Sequence, residues 1–231
     1  MLIHNKFTKD NDLERTERLI SIFNHIDDYS SEFGLAADKI TWAHNAYNIW
    51  HAAVINADAD QAEGEGAYMA LRIAEQSGAK FYCKAKALLK AILSGRGDSD
   101  ELFEEYGLKG KSARGYKRLI AAIDVWKGTH DRLVSEGDDR VLPDAIVAKM
   151  VEHREELDEL WHKAIDEKTE AREARRVKKE LFDRDTKMLA YLFALCKLHW
   201  GIQEPKLMGL GFVQKSAIWT FKKKEEEEVP E

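Results

Sequence analysis

Proline is almost missing from this chain: Pro143, Pro205 and Pro230 are its only three in 231 residues. Glycine is sparse too, with fourteen residues gathered in a few places. A sandwich or barrel needs turn residues about every 8–12 positions, which excludes an all-β architecture. No apolar strand-like runs separate the helical stretches, which excludes βα alternation. Only two cysteines occur, Cys83 and Cys196. Both sit in apolar helical segments and are expected to be buried small hydrophobes in a reducing compartment rather than a disulfide. No run reaches the roughly 18 apolar residues that a membrane span needs. The opening MLIHNKFTKDND has no apolar stretch of the secretory type. The net charge of −6 leaves no general basic footprint for nucleic acid. The expectation is a cytoplasmic protein without membrane or nucleic-acid partners.

What the chain does have is 44% hydrophobic and 34% charged residues. That is enough apolar material for a sizeable core and the charge content of long exposed helices. A first helix is predicted over about 11–33, with Asn11 and Glu14 as a capping box and Gly34 as its stop. Leu13, Thr16, Ile20, Phe23, Ile26 and Phe33 form its apolar face. A second helix is predicted over about 36–93. Its stripe runs Ile40, Ala43, Tyr47, Trp50, Val54, Ala57, Gln61, Gly64, Tyr68, Leu71, Gly78, Tyr82, Ala85, Leu89, Ile92. Gly64 falls on that stripe, so the AEGEGAY segment reads as continuous helix, about 85 Å long at about 1.5 Å per residue.

A short helix follows at about 99–106, stopped by Gly107. A third principal helix begins after Ser112, with Tyr116, Leu119, Ile123, Trp126, His130 and Leu133 on its face. Pro143 opens the fourth, which runs to Trp200 and is stopped by Gly201. Its stripe includes Ile146, Met150, Leu157, Leu160, Ala164, Ala171, Ala174, Leu181, Met188, Leu192 and Leu195. The stretch 188–200 is apolar nearly all round and is expected to be buried on most sides. A short helix at about 205–208 ends at Gly209.

Each half thus repeats one plan: a helix, a longer helix, and a short helix ending in Gly-Leu. Ile49-Trp50-His51 parallels Leu160-Trp161-His162, and Tyr106-Gly107-Leu108 parallels Met208-Gly209-Leu210. The predicted fold is all-α: one domain over 1–231, an elongated antiparallel four-helix bundle of two pseudo-repeated αα-hairpins (1–112 and 113–210). An aromatic tail (211–221) and a charged end (222–231) follow.

Gly107-Leu108-Lys109-Gly110-Lys111-Ser112-Ala113-Arg114 leads into a helix bearing Trp126. Thr169-Glu170-Ala171-Arg172-Glu173-Ala174 runs into Tyr191-Leu192-Phe193-Ala194 and closes on Glu204-Pro205-Lys206-Leu207-Met208-Gly209-Leu210. Across about 85–210 this pattern resembles a group of bacterial helical-bundle proteins, many from Bacteroidetes-like genomes. The resemblance implies a helical bundle and carries over neither an activity nor catalytic residues.

Candidate chemistry is thin. Glu159-Leu160-Trp161-His162 is one Glu-x-x-His pair of a ferritin-like di-iron site, but the matching place in the first half is Asn48-Ile49-Trp50-His51. Glu159 and His162 are therefore the candidates for a metal, and no cofactor is expected. Lys109, Lys111, Ser112, Arg114, Lys117 and Arg118 make a basic stretch at a helix start, a candidate anion site. The Gly-Lys-Ser within it lacks the first glycine and the preceding strand of a phosphate-binding loop. The tail residues Phe212, Val213, Ile218, Trp219 and Phe221 are apolar yet lie beyond the last bundle helix, which makes them a candidate docking element, in cis or on another copy. The leading functional reading is a non-enzymatic structural or protein-interaction scaffold, with a protein partner that includes itself as a homo-oligomer. A metal- or ligand-binding ferritin-like bundle is one alternative. An anion or nucleic-acid binder through 109–118 is another.

Overall fold

The computed structural model describes residues 7–95, 97–108, 115–138, 141–201 and 206–212. Among them the chain is helical, with no strand. The helices are α1 (Asp12–Phe33), α2 (Ala37–Leu93), α3 (Ser99–Glu105), α4 (Tyr116–Ser135), α5 (Asp144–Trp200) and α6 (Lys206–Gly209). No helix among the described residues is long and apolar enough to cross a membrane.

The helix boundaries follow local chemistry. The Glu14 amide donates to Asn11 Oδ1 and the Asn11 amide to Glu14 Oε2, both at 2.9 Å, completing the capping box of α1. Gly34, at φ 61°, ends the helix in the left-handed region that glycine enters without strain. α2 passes through Gly64 and Gly66 without a break. Pro143 stands just outside α5, where its carbonyl accepts from the Ile146 and Val147 amides. α4 starts at Tyr116, after Gly115 at φ 87°; the expected cap Ser112 lies outside the described residues.

The chain divides into two compact units: Met1–Ala59 with Ala171–Glu231, and Asp60–Glu170. Neither coincides with a sequence repeat, because each takes part of both long helices. In the first unit, α1 packs with the start of α2 and the end of α5. Its core includes Phe7, Leu19, Ile22, Ile26, Trp50, Leu189, Leu192 and Phe193, with Leu207, Leu210 and Phe212 from the region of α6. The contacts Trp42–Asp185 and Trp50–Phe182 show α2 and α5 running antiparallel here. In the second unit, α4 and α3 cover the other parts of those helices. Trp126, between Tyr82 and Tyr106 with ring centroids at 4.8 and 5.9 Å, anchors that core.

Two predicted faces need correction. On α1 the buried residues are Arg15, Leu19, Ile22, Ile26 and Phe33. Leu13 and Phe23, which the pattern placed inside, are exposed. On α2 the buried row is Ala43, Ala46, Trp50, Ala53, Ala57, then Gly64, Ala67, Leu71, Ala74 and Gly78. Gln61 and Tyr68 are exposed instead. The row advances by alternating three and four residues, the period of a coiled-coil seam, and small side chains occupy it because α5 comes close. An alanine Cβ at Gly64 would lie 3.9 Å from the Glu167 carbonyl oxygen. Two further expectations fail. Cys83 is exposed, and only Cys196 is buried. The 188–200 stretch buries one side, leaving Tyr191 and Leu198 in solvent.

The seam yields a prediction. At Gly64 a Cβ meets only ordinary van der Waals contact, and alanine is favoured over glycine inside a helix by about 0.5–1 kcal/mol. Gly64→Ala should therefore raise the denaturant midpoint. Gly78→Ala should gain less or lose, because its Cβ would meet Leu119 Cδ2 at 3.2 Å. Equal gains at both positions would contradict the packing described.

Candidate functional site

Glu159 and His162 both face solvent. His162 lies 3.9 Å from Asp158 Oδ1 on its own helix, with 70% of its side chain exposed. Among the described residues, no three His, Cys, Asp or Glu side chains are grouped so as to hold a metal ion. Burial pushes the Cys196 thiol up to about 12, which keeps it protonated at neutral pH.

Of the basic stretch, Lys109, Lys111, Ser112 and Arg114 lie outside the described residues. Arg118 is exposed. Lys117 sits over the Trp161 ring at 5.1 Å, beside a stacked Tyr116–Trp161 pair at 4.3 Å. Its ammonium thus packs on aromatic faces where α4 meets α5. Of the tail, Val213, Ile218, Trp219 and Phe221 also lie outside the described residues. Phe212 is fully buried, with its ring 6.0 Å from Phe7 and 5.5 Å from Phe193. Its amide donates to the Leu207 carbonyl at 2.9 Å, and Arg18 donates to the carbonyl of Gly211. The tail's first aromatic is thus docked on its own chain.

A buried polar cluster that no local pattern announces lies in the first unit. Arg15 is fully buried. Its Nη2 donates to the Phe7 carbonyl at 2.5 Å and to Thr186 Oγ1 at 2.8 Å. Its Nε lies 3.6 Å from Asp10 Oδ2, and the guanidinium stacks 4.1 Å over the Phe182 ring. Asp185 is equally buried. Its Oδ1 accepts from Trp42 Nε1 and Arg184 Nε, each at 2.9 Å. Burial pushes the Arg15 pKa down, partly offset by the charge of Asp10 and then of Asp185, and pushes the Asp185 pKa up, partly offset by the Trp42 hydrogen bond and by Arg184. The cluster ties the segment before α1 to α5. Thr186 stands 171 residues from Arg15 and Trp42 stands 143 from Asp185, separations that a local pattern does not register.

A groove of about 410 Å³ in the second unit is lined by His130, Asp131, Val134, Ser135, Asp144 and Val147. Buried His130 reaches exposed Asp144 through Nε2 at 3.3 Å. Ser135 Oγ donates to the Arg132 carbonyl at 2.6 Å, so its proton is directed to backbone rather than to the imidazole.

The remaining feature is a helix face. On α2 in the second unit, Ala62, Gly66, Met69 and Ile73 are all exposed. They recur at steps of four, three and four, on the side opposite Gly64, Ala67, Leu71 and Ala74. Met69 and Ile73 are 61% and 62% exposed, a degree that sets them apart from half-buried rim residues. This row was readable in the sequence. One helix can carry two such rows, and only packing shows which is inside. Compared with protein-family models, curated proteins and solved structures, the chain matches none.

Proposed function

We propose that the protein is a non-enzymatic structural or interaction protein, a helical scaffold that offers the outer face of α2 to another polypeptide. The observation that carries this reading is the uncharged row Ala62, Gly66, Met69 and Ile73 in solvent. Leaving two large apolar side chains that exposed costs about 1.5–3 kcal/mol apiece relative to full burial, a gain open to any partner that covers them. A protein partner, itself included, a cytoplasmic setting and kinship with the bacterial helical-bundle group belong to the same proposal.

So does the four-helix reading with two pseudo-repeated hairpins. It is supported by the matching roles of α3 and α6. Each is short, each has a Gly-Leu pair at or just past its end, and each buries that leucine, Leu108 in one unit and Leu210 in the other.

A photoreactive amino acid at position 69, in cells producing the protein, tests the functional reading. It should yield polypeptide adducts several-fold above the same probe at exposed Ala87 on the same helix. Equal yields at both positions would overturn it.

A further inference from the structure

We infer that the partner of this α2 face is a second copy of the chain, paired antiparallel over Ala62–Ile73; this rests on the interaction reading above. The order of side chains along the row is small, small, large, large: Ala62, Gly66, Met69, Ile73. Reversing one copy against the other sets Ala62 opposite Ile73 and Gly66 opposite Met69. Every large side chain then meets a small one, as interdigitated packing requires. Parallel pairing would set Met69 against Met69 and Gly66 against Gly66, crowding one layer and hollowing another.

The charges beside the row choose the same arrangement. Glu65 and Arg72 stand seven residues apart on one flank, where the heptad period keeps them in line. Antiparallel pairing brings Glu65 of each copy to Arg72 of the other, and two-fold symmetry makes that contact twice. On the opposite flank Glu63 meets Ala70, so no like charges are opposed. Both Glu65 and Arg72 are exposed. Within the chain, Glu65 accepts a hydrogen bond from Gln61 Nε2 at 3.0 Å. Neither Glu65 nor Arg72 has a partner of opposite charge among the described residues, and a second molecule would supply one. The row is short, so the dimer is weak and forms reversibly at micromolar rather than nanomolar concentration.

The test is the light-scattering mass of the purified full chain between about 1 and 500 µM, the range that bounds an affinity of that order. The mass should rise toward twice the 26.5 kDa of the chain as concentration increases. Met69→Glu with Ile73→Glu should hold it at monomer throughout with an unchanged melting temperature, because neither side chain enters the core. Glu65→Arg should weaken dimerisation at least several-fold by opposing two arginines. Adding Arg72→Glu to that variant should restore it, since the exchanged charges again meet their opposites. A wild-type monomer at every concentration would overturn the inference, as would a Glu65→Arg variant that dimerises unchanged or a double exchange that stays weak. Dimerisation only after truncation beyond Phe212 would overturn it too, because the chain's own tail would then be the cover. None of these failures touches the crosslinking result at position 69, which stands or falls on any polypeptide partner.

Discussion

Arg15→Ala should destabilise the first unit by about 3–5 kcal/mol, the range for removing one member of a buried ion pair. The side chain is fully buried, donates to Phe7 and Thr186 and lies 3.6 Å from the Asp10 carboxylate. Its loss leaves Asp185 inside with one fewer compensating charge and frees the segment before α1 from α5. Denaturant unfolding followed by amide exchange would show the cost confined to α1, the start of α2 and the end of α5.

The cost should also depend on pH. Asp185 titrates above an ordinary aspartate because burial disfavours its charge. A raised folded pKa contributes stability that is full below the unfolded value, about 4, and is lost as pH rises through the folded value. Removing Arg15 raises that folded value further, so the variant should lose more at pH 7 than at pH 4. Arg15→Met combined with Asp185→Asn should recover much of the loss, because no buried charge at position 185 is then left with weaker compensation. A cost independent of pH, with no recovery in the double variant, would show that Arg15 acts only as a space-filling stem.

Phe212→Ala should cost about 3–5 kcal/mol, the range for truncating a buried phenylalanine, and leave the native mass unchanged. The ring fills the space between Phe7 and Phe193 with no solvent exposure. The preceding carbonyl is held by Arg18, whose guanidinium also stacks 5.3 Å from Phe7. Phe212 thus closes the end of the first unit's core rather than reaching for a partner. A variant that keeps its melting temperature but changes mass would reverse that assignment.

Much of the architecture was legible before any coordinates. Asn11 and Glu14 announced the start of α1, Gly34 and Gly201 announced two stops, and Gly64 on an apolar stripe announced that α2 continues. These signals are local. A cap needs only its neighbours three residues on, and a left-handed glycine needs only its own missing Cβ. The α1 face was misread because Leu13 and Phe23 are apolar and Arg15 is not. An arginine is reckoned as surface unless its partners are known, and Thr186 stands 171 residues away. On α2 the pattern found Ala57 and Gly64 but took bulky Tyr68 where the seam runs through small Ala67.

The sequence by itself therefore determined an all-helical chain, the extents of its helices and their stops, because hydrogen-bonding period, caps and glycine conformations are short-range properties. The predicted inner face of α5 and most of that of α2 also hold, and only the tertiary structure decided the inner face of α1 and the middle of the α2 seam. It also buried Arg15 and Asp185, closed the first core with Phe212 and left Met69 and Ile73 in solvent. Those choices depend on how closely two helices approach and on which distant charges meet between them, and such distances come into being only when the chain has folded.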